Sequence, residues 1–312
     1  MPAYVETAMI AERPSWWGEA TIDHAPNAAE AIKAAGLDWE VLQRPLYLNT
    51  DDEYFDEVPG YRANIRSSDN SLLAVVGKNY KPIQNAEWFG FMDVLLGEGV
   101  KFETAGSLFG GKQVWMLARM PEHVTIAGDE IRQYLLATNG HDGLRSGKMM
   151  AVDTRVVCWN TLSLALKEAK RTWSIRHSQQ LSGREDEVRE HLLLASEYFK
   201  GYKKEAEKLL KMKFAEKKYT ELVDFLLPLP EEATQRVLNN IESRRSLLWQ
   251  EIKSEDLENI RKTGWGAVQA VAALVAHEPP GRKTATWGER RFSNIMIDGD
   301  KLVKKALEFV YG

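Results

Sequence analysis

The hydrophobic patterning of this 312-residue chain predicts an α+β fold, with an antiparallel, strand-rich first half and a helical second half. Three observations carry that reading. Up to about residue 180, apolar residues fall in short runs, several of them alternating, separated by Gly, Asn and Asp turn signals. From Glu185 to Met212 the apolar positions are Val188, Leu192, Ala195, Phe199, Tyr202, Ala206 and Leu209, a heptad seam that predicts one long helix. Beyond it lie shorter helical stretches, punctuated by Pro228 and Pro230. The division this suggests is a strand-rich core domain over 1–180 and a helical region over 181–312, packing on that core or on neighbouring subunits.

Taken in order, Asn27 caps a helix over Ala28 to Ala35 that Gly36 stops. Trp39 to Leu48 reads as a strand, placed at a sheet edge by Pro45, and Asn49 to Asp56 as an acidic turn. Tyr61 to Ser67 and Leu72 to Val76 are strands joined by Ser68-Asp69-Asn70. Asn85 is placed to cap a helix over Ala86 to Leu96. Val100 to Ser107 and Gln113 to Arg119 form a hairpin across Gly110-Gly111, with further strands at His123 to Ala127 and Ile131 to Ala137. The turn Thr138 to Gly143 leads to a strand carrying Cys158. Asn160-Thr161 then reads as the cap of a short helix, ahead of a basic, aromatic strand ending at Arg176. Helices over Tyr219 to Leu226, Glu231 to Ser243, Leu247 to Ile252, Trp265 to His277 and Asp300 to Val310 complete the chain, with a basic loop from Glu278 to Phe292.

Composition is that of a globular protein, with 44% hydrophobic and 28% charged residues and a net charge of −4. The charge is unevenly spread. Residues 1–60 hold twelve Asp/Glu against three Lys/Arg, whereas residues 144–213 hold fifteen Lys/Arg against nine Asp/Glu, which permits a basic surface on an acidic chain. A single cysteine excludes an internal disulfide. The N-terminus lacks the pattern of a signal peptide, and the apolar run Ala267 to Ala276 is too short to span a bilayer, so a cytoplasmic location is expected, with no membrane association.

The chain has no GxxxxGK[ST] loop, CxxC pair, HExxH helix or GxSxG elbow, so no catalytic motif, cofactor or metal site is recognisable. His141-Asp142 has the residue types for metal binding or general base work, but its place between two strands also suits plain turn chemistry. Cys158 reads as a buried thiol. The adjacent Trp16 and Trp17 are either a core staple or an anchor for a partner. The densest signal is basic and aromatic. Arg145, Lys148 and Arg155 flank one strand, and Lys167, Lys170, Arg171, Trp173 and Arg176 follow closely. Single-stranded nucleic acid is held by such a combination, cations tracking phosphates and flat rings stacking on bases at about 1–3 kcal/mol per base. The competing reading is a half-buried strand with snorkelling arginines.

The segments YKPIQN (Tyr80 to Asn85), ETAGSLFGGKQVWMLARM (Glu103 to Met120), TNGHDG (Thr138 to Gly143), RVVCWNTL (Arg155 to Leu162), TGWGAVQAV (Thr263 to Val271) and DGDKLVKKAL (Asp298 to Leu307) together resemble the phage/plasmid-like protein family. That family is built on a bacterial domain of unknown function found in phages, prophages and plasmids. The resemblance implies a mobile-element context and the cytosol of a bacterial host, and no settled activity. A looser similarity, a strand-rich half with a hairpin followed by a long helix, is to the Redβ, RecT and Erf types of phage annealing protein. It implies single-stranded DNA binding, assembly into rings or filaments, and annealing without ATP.

The expectation is therefore a non-enzymatic, single-stranded-DNA-binding, annealing-type recombination protein of a phage or mobile element. It would prefer DNA over RNA and assemble as a homo-oligomer. Arg145, Lys148, Arg155, Arg171 and Arg176 would contact phosphates, Tyr80 and Trp173 would stack on bases, and Lys81 would assist. Two alternatives stand beside it: a structural or host-interaction (counter-defence) protein anchored by Trp16 and Trp17, and a hydrolase or nuclease centred on His141 and Asp142.

Overall fold

A computed structural model of the chain describes residues 7–11, 20–22, 26–51, 54–93, 99–155, 160–162, 172–179, 181, 183–277, 290 and 301–312. The fold is α+β, as the patterning predicts. The larger sheet is built on a meander of β6 (Lys101–Leu108), β7 (Gln113–Ile126), β8 (Asp129–Gly140) and β9 (Gly147–Arg155), each antiparallel to the next. The predicted strands at His123 and Gln113 are one strand, β7, with a register shift between Arg119 and His123. At one edge β1 (Thr7–Ala11) pairs antiparallel with β6 and parallel with β2 (Ala20–Ile22). At the other edge β10 (Asn160–Leu162) and β11 (Thr172–Ile175) lie end to end along β9, opposite Asp153–Arg155 and Gly147–Met150. Asn160-Thr161 is thus strand rather than helix cap, because its backbone completes the edge of β9.

Both faces of this sheet are covered. One carries Phe102, Val114, Met116, Ala118, Leu135, Ala137 and Met149, packed with α1 (Ala28–Ala34) and α2 (Asn85–Gly90). Asn27 closes a reciprocal capping box with Glu30, at 2.9 Å and 3.4 Å, which starts α1 where expected. The other face carries Trp115, Leu117, Tyr134, Leu136, Met150 and Val152. A strand buried on both sides loses the alternation that marks a half-exposed one, and β8 accordingly carries the unbroken run Tyr134 to Ala137 at its centre.

The helical half consists of α3 (Glu185–Lys211), α4 (Glu216–Leu226), α5 (Gln235–Ile252), α6 (Gly264–His277) and α7 (Lys301–Tyr311), with a 3-10 turn at Glu255–Leu257. The heptad seam of α3 is buried at Ala195, Phe199, Tyr202, Ala206 and Leu209. Its first part meets Ala151 of β9, and its second part joins the helical core. At the centre of that core is α6, whose apolar run is buried nearly all round. Its start is held by Thr263, whose hydroxyl accepts from the Gly266 amide at 3.1 Å and donates to the Ile260 carbonyl at 2.6 Å. A Cβ on Gly266 would lie 2.2 Å from that same carbonyl oxygen, so the backbone approach itself requires glycine. The two predicted helices at Glu231 and Leu247 are one, α5.

The smaller sheet, β3 (Val41–Asp51), β4 (Tyr54–Arg66) and β5 (Leu72–Gly77), has the order β3-β4-β5. Pro45 does sit on an edge strand, at a register shift. The acidic stretch predicted as a turn is mostly strand, since pairing runs out to Asp51↔Tyr54. β5 stops pairing at Tyr61↔Gly77, so the outer part of the β3–β4 hairpin continues beyond it as a two-stranded arm, roughly 20 Å long at strand rise. No described helix crosses the chain's surroundings as a membrane span: none is long and apolar enough.

Candidate functional site

The turn between β8 and β9, His141 to Ser146, holds His141, Asp142 and Arg145 of the residues singled out by the sequence. Asp142 organises it. One carboxylate oxygen accepts from the amides of Leu144 and Arg145 at 3.0 and 3.1 Å, and the other binds the Arg145 guanidinium. Arg145 also lies 5.3 Å from the centre of the Phe109 ring, tying this turn to the one between β6 and β7. The His141 amide donates to the Lys112 carbonyl at 2.8 Å.

The segment after β5 is bonded to the same end of the sheet. The Tyr80 hydroxyl donates to the Gly140 carbonyl at 2.9 Å, and its ring stacks on His177 at 4.6 Å. The Lys81 amide donates to the His177 carbonyl at 2.7 Å. On β11, Trp173 stands opposite Met149 and Ser174 opposite Lys148. Arg176 follows directly and is exposed. Tyr80, Lys81, Arg145, Lys148, Trp173 and Arg176 therefore converge on one end of the larger sheet. Arg155 does not join them. Its backbone lies at the opposite end of β9, across from Ile131, roughly 24 Å from Lys148 at strand rise. Arg171, Lys167, Lys170, Cys158, Trp16 and Trp17 lie outside the described residues, as does nearly all of the basic loop at Glu278 to Phe292.

Both aromatic residues of the group already have ring partners. Trp173 is half-buried, near-parallel to Trp88 at 6.1 Å and to Phe91 at 6.4 Å, with its indole N–H 3.3 Å from Glu187. Burial, reinforced by Asp142, pushes the Tyr80 phenol up, so it stays protonated and remains a donor to Gly140. Of the cations, Arg145 is matched by Asp142. Among the described residues Lys81, Lys148 and Arg176 have no carboxylate within salt-bridge distance, nor do Lys78 and Lys112, both exposed on neighbouring turns. Lys78 and Lys112 were missed because each follows a glycine and reads as turn. Their position beside predicted site residues, two before Tyr80 and in the turn paired with TNGHDG, was the available signal.

His141 is fully buried under this surface. Asn85 Nδ2 donates to the Leu37 carbonyl at 2.9 Å and faces that of Trp39 at 3.4 Å, which leaves its Oδ1 to accept from His141 Nε2 at 2.9 Å. Asn85 is thus held in the core rather than capping α2, whose N-cap is Gln84. Burial, and then His177, push the His141 imidazole down to about 3. Burial also lowers His177, against the carbonyls of Arg145 and Lys81 and the Asp142 carboxylate. Both rings are neutral at physiological pH. His141 points at Asn85 while Asp142 points into its own turn, so the pair presents no common face to a substrate. No group of three or more His, Cys, Asp or Glu suited to a metal ion occurs among the described residues. A cleft of about 380 Å³ at the other end of the sheet is lined by Lys101, Arg119, His123 and Arg132, but Glu103 and Glu130 balance its arginines.

The family model for a domain of unknown function, DUF932, matches residues 72–296, well over half of the chain. The protein is a DUF932 member. The DUF932 match begins at β5 and takes in the cation group and α3 to α6, while the β3–β4 hairpin and α7 fall outside it. No curated protein and no solved structure gives a match.

Proposed function

We propose that this DUF932 protein binds single-stranded nucleic acid, DNA in preference to RNA, across the end of its larger sheet, and promotes strand annealing without a nucleotide cofactor. The supporting observation is the convergence of Lys81, Arg145, Lys148 and Arg176, with Lys78 and Lys112 beside them, on one end of a sheet in a chain whose net charge is negative. Five cations without a carboxylate partner among the described residues form a local positive field that a flexible polyanion can follow. Tyr80 and Trp173 lie within that group, and a base would stack on the ring face that His177, or Trp88 and Phe91, does not cover. The resemblance to the phage/plasmid-like family adds a setting in mobile-element recombination, as a ring- or filament-forming protein of the host cytosol.

The test is fluorescence anisotropy with labelled single-stranded DNA, RNA and duplex DNA over a salt series, followed by annealing of complementary strands without nucleotide. Tightest binding to single-stranded DNA, weakening with salt, and accelerated annealing are expected. Absence of salt-sensitive binding to any of the three would refute the reading.

A further inference from the structure

The β3–β4 arm and the outer face of α3 are two surfaces that the proposed function leaves unused. On the arm, Tyr47, Leu48, Phe55 and Tyr61 are 55%, 60%, 66% and 52% exposed. Tyr47 and Phe55 share one face of this projecting hairpin and Leu48 lies on the other, so large side chains are more concentrated here than in the scattered exposure usual on a surface. The fifteen residues from Tyr47 to Tyr61 also hold five carboxylates and no Lys or Arg; one of the five, Glu57, is paired with Arg62 at the base of the arm. Phosphates would be repelled there, so the chemistry of the arm fits a basic protein surface that can also cover aromatic rings.

This chain carries such a surface. Opposite its buried seam, α3 exposes Lys200, Lys203, Lys204, Lys208 and Lys211. The only acids in that span are Glu205 and Glu207, and Glu205 is engaged by Lys208 and the Tyr311 hydroxyl. Lysine stems lie flat on apolar surface while their ammonium groups meet carboxylates or ring faces, the combination that the arm presents. Within one chain the two surfaces do not meet: among the described elements, no substantial contact joins β3 or β4 to α3.

We infer that the arm of one copy docks on the lysine face of α3 in the next copy. The contact uses a different surface on each partner, so it is head-to-tail and repeats into a ring or a filament. It does not depend on nucleic acid.

The test uses the full chain, without nucleic acid, by light scattering after size exclusion across a concentration series. Wild type is expected to assemble beyond a dimer, less so at high salt. Two variants change exposed positions only: Tyr47→Lys/Phe55→Lys, which share one face of the arm, and Lys200→Glu/Lys204→Glu on α3. Each is expected to be monomeric with an unchanged circular dichroism spectrum. Mixed in equal amounts, they should form one-to-one dimers and nothing larger, because only the helix variant's arm can meet the arm variant's lysines. A monomeric wild type, either variant assembling like wild type, or a mixture that stays monomeric would overturn the inference. Loss of oligonucleotide binding with this pattern intact would refute the nucleic-acid reading alone.

Discussion

Replacing Lys81 and Arg176 together by alanine should flatten the salt dependence of oligonucleotide binding. Both are exposed, and their side chains have no carboxylate partner among the described residues; the Lys81 contact to His177 is through its backbone amide and survives the change. With Arg145 neutralised by Asp142, the cations of this group that were singled out by sequence and have no carboxylate partner among the described residues are Lys81, Lys148 and Arg176. At about 0.7 counterions released per phosphate contact on a single strand, three contacts give a slope of about −2.1 in log K against log salt, and one contact about −0.7. Wild type should then lose about 20-fold in affinity between about 50 and 200 mM salt, and the double variant only about threefold. If Lys78 and Lys112 also reach phosphates, both slopes steepen equally and the difference of about 1.4 remains. Anisotropy at four or five salt concentrations measures it. Parallel lines for the two proteins would show that these cations do not meet the ligand, whatever the absolute affinity.

Acidification should destabilise the fold through His141. Its folded value, about 3, lies below the ordinary 6.5, so its contribution is complete above about pH 6.5 and is lost as pH falls toward 3, because the unfolded chain takes up the proton first. At pH 5 this amounts to about 2 kcal/mol, with His177 acting in the same direction. Urea midpoints at the two pH values, compared with His141→Gln, test it; a flat wild-type profile would refute the assignment. Gly266→Ala gains about 1 kcal/mol in helix propensity, but its methyl would meet the Ile260 carbonyl, so a net loss of about 1–3 kcal/mol and a lower Tm are expected. Asp142→Ala removes acceptors for two amides and the partner of Arg145, and should cost about 1–3 kcal/mol in urea unfolding; an unchanged midpoint would mean that the turn stands without it.

What the sequence made legible was local. The seam of α3, the capping box of α1 and the β6–β7 hairpin each depend on residues within a few positions of one another, and each stands where periodicity or turn chemistry placed it. Long-range choices left no such trace. Asn85 has the residue type and position of a cap, but Leu37, Trp39 and His141 claim its amide from 48, 46 and 56 residues away. Asn160-Thr161 likewise looked like a cap until the edge of β9 offered hydrogen bonds. In α5, Arg244-Arg245 broke the apolar pattern without breaking the helix: Arg245 turns to Asp224 and the Leu227 carbonyl, a use of polarity that a hydrophobic count misses. The site divides the same way. Of the cations that charge density along residues 144–176 picks out, Arg145, Lys148 and Arg176 share one end of the sheet, whereas Arg155, on the same strand as Lys148, is carried to the far end simply by strand length.

The pairing of β1 with β6 bears on the order in which the chain can fold. β6 to β9 close through short turns, each hairpin needing only a small loop entropy. Thr7, by contrast, meets Ser107 across 100 residues, and among the described strands β2 pairs only with β1. The meander is thus able to condense first, and the N-terminal pair can add only to an edge that already exists. During synthesis β1 would leave the ribosome well before β6 and still be among the last of the described strands to dock, leaving that edge of β6 unpaired by β1 until it does.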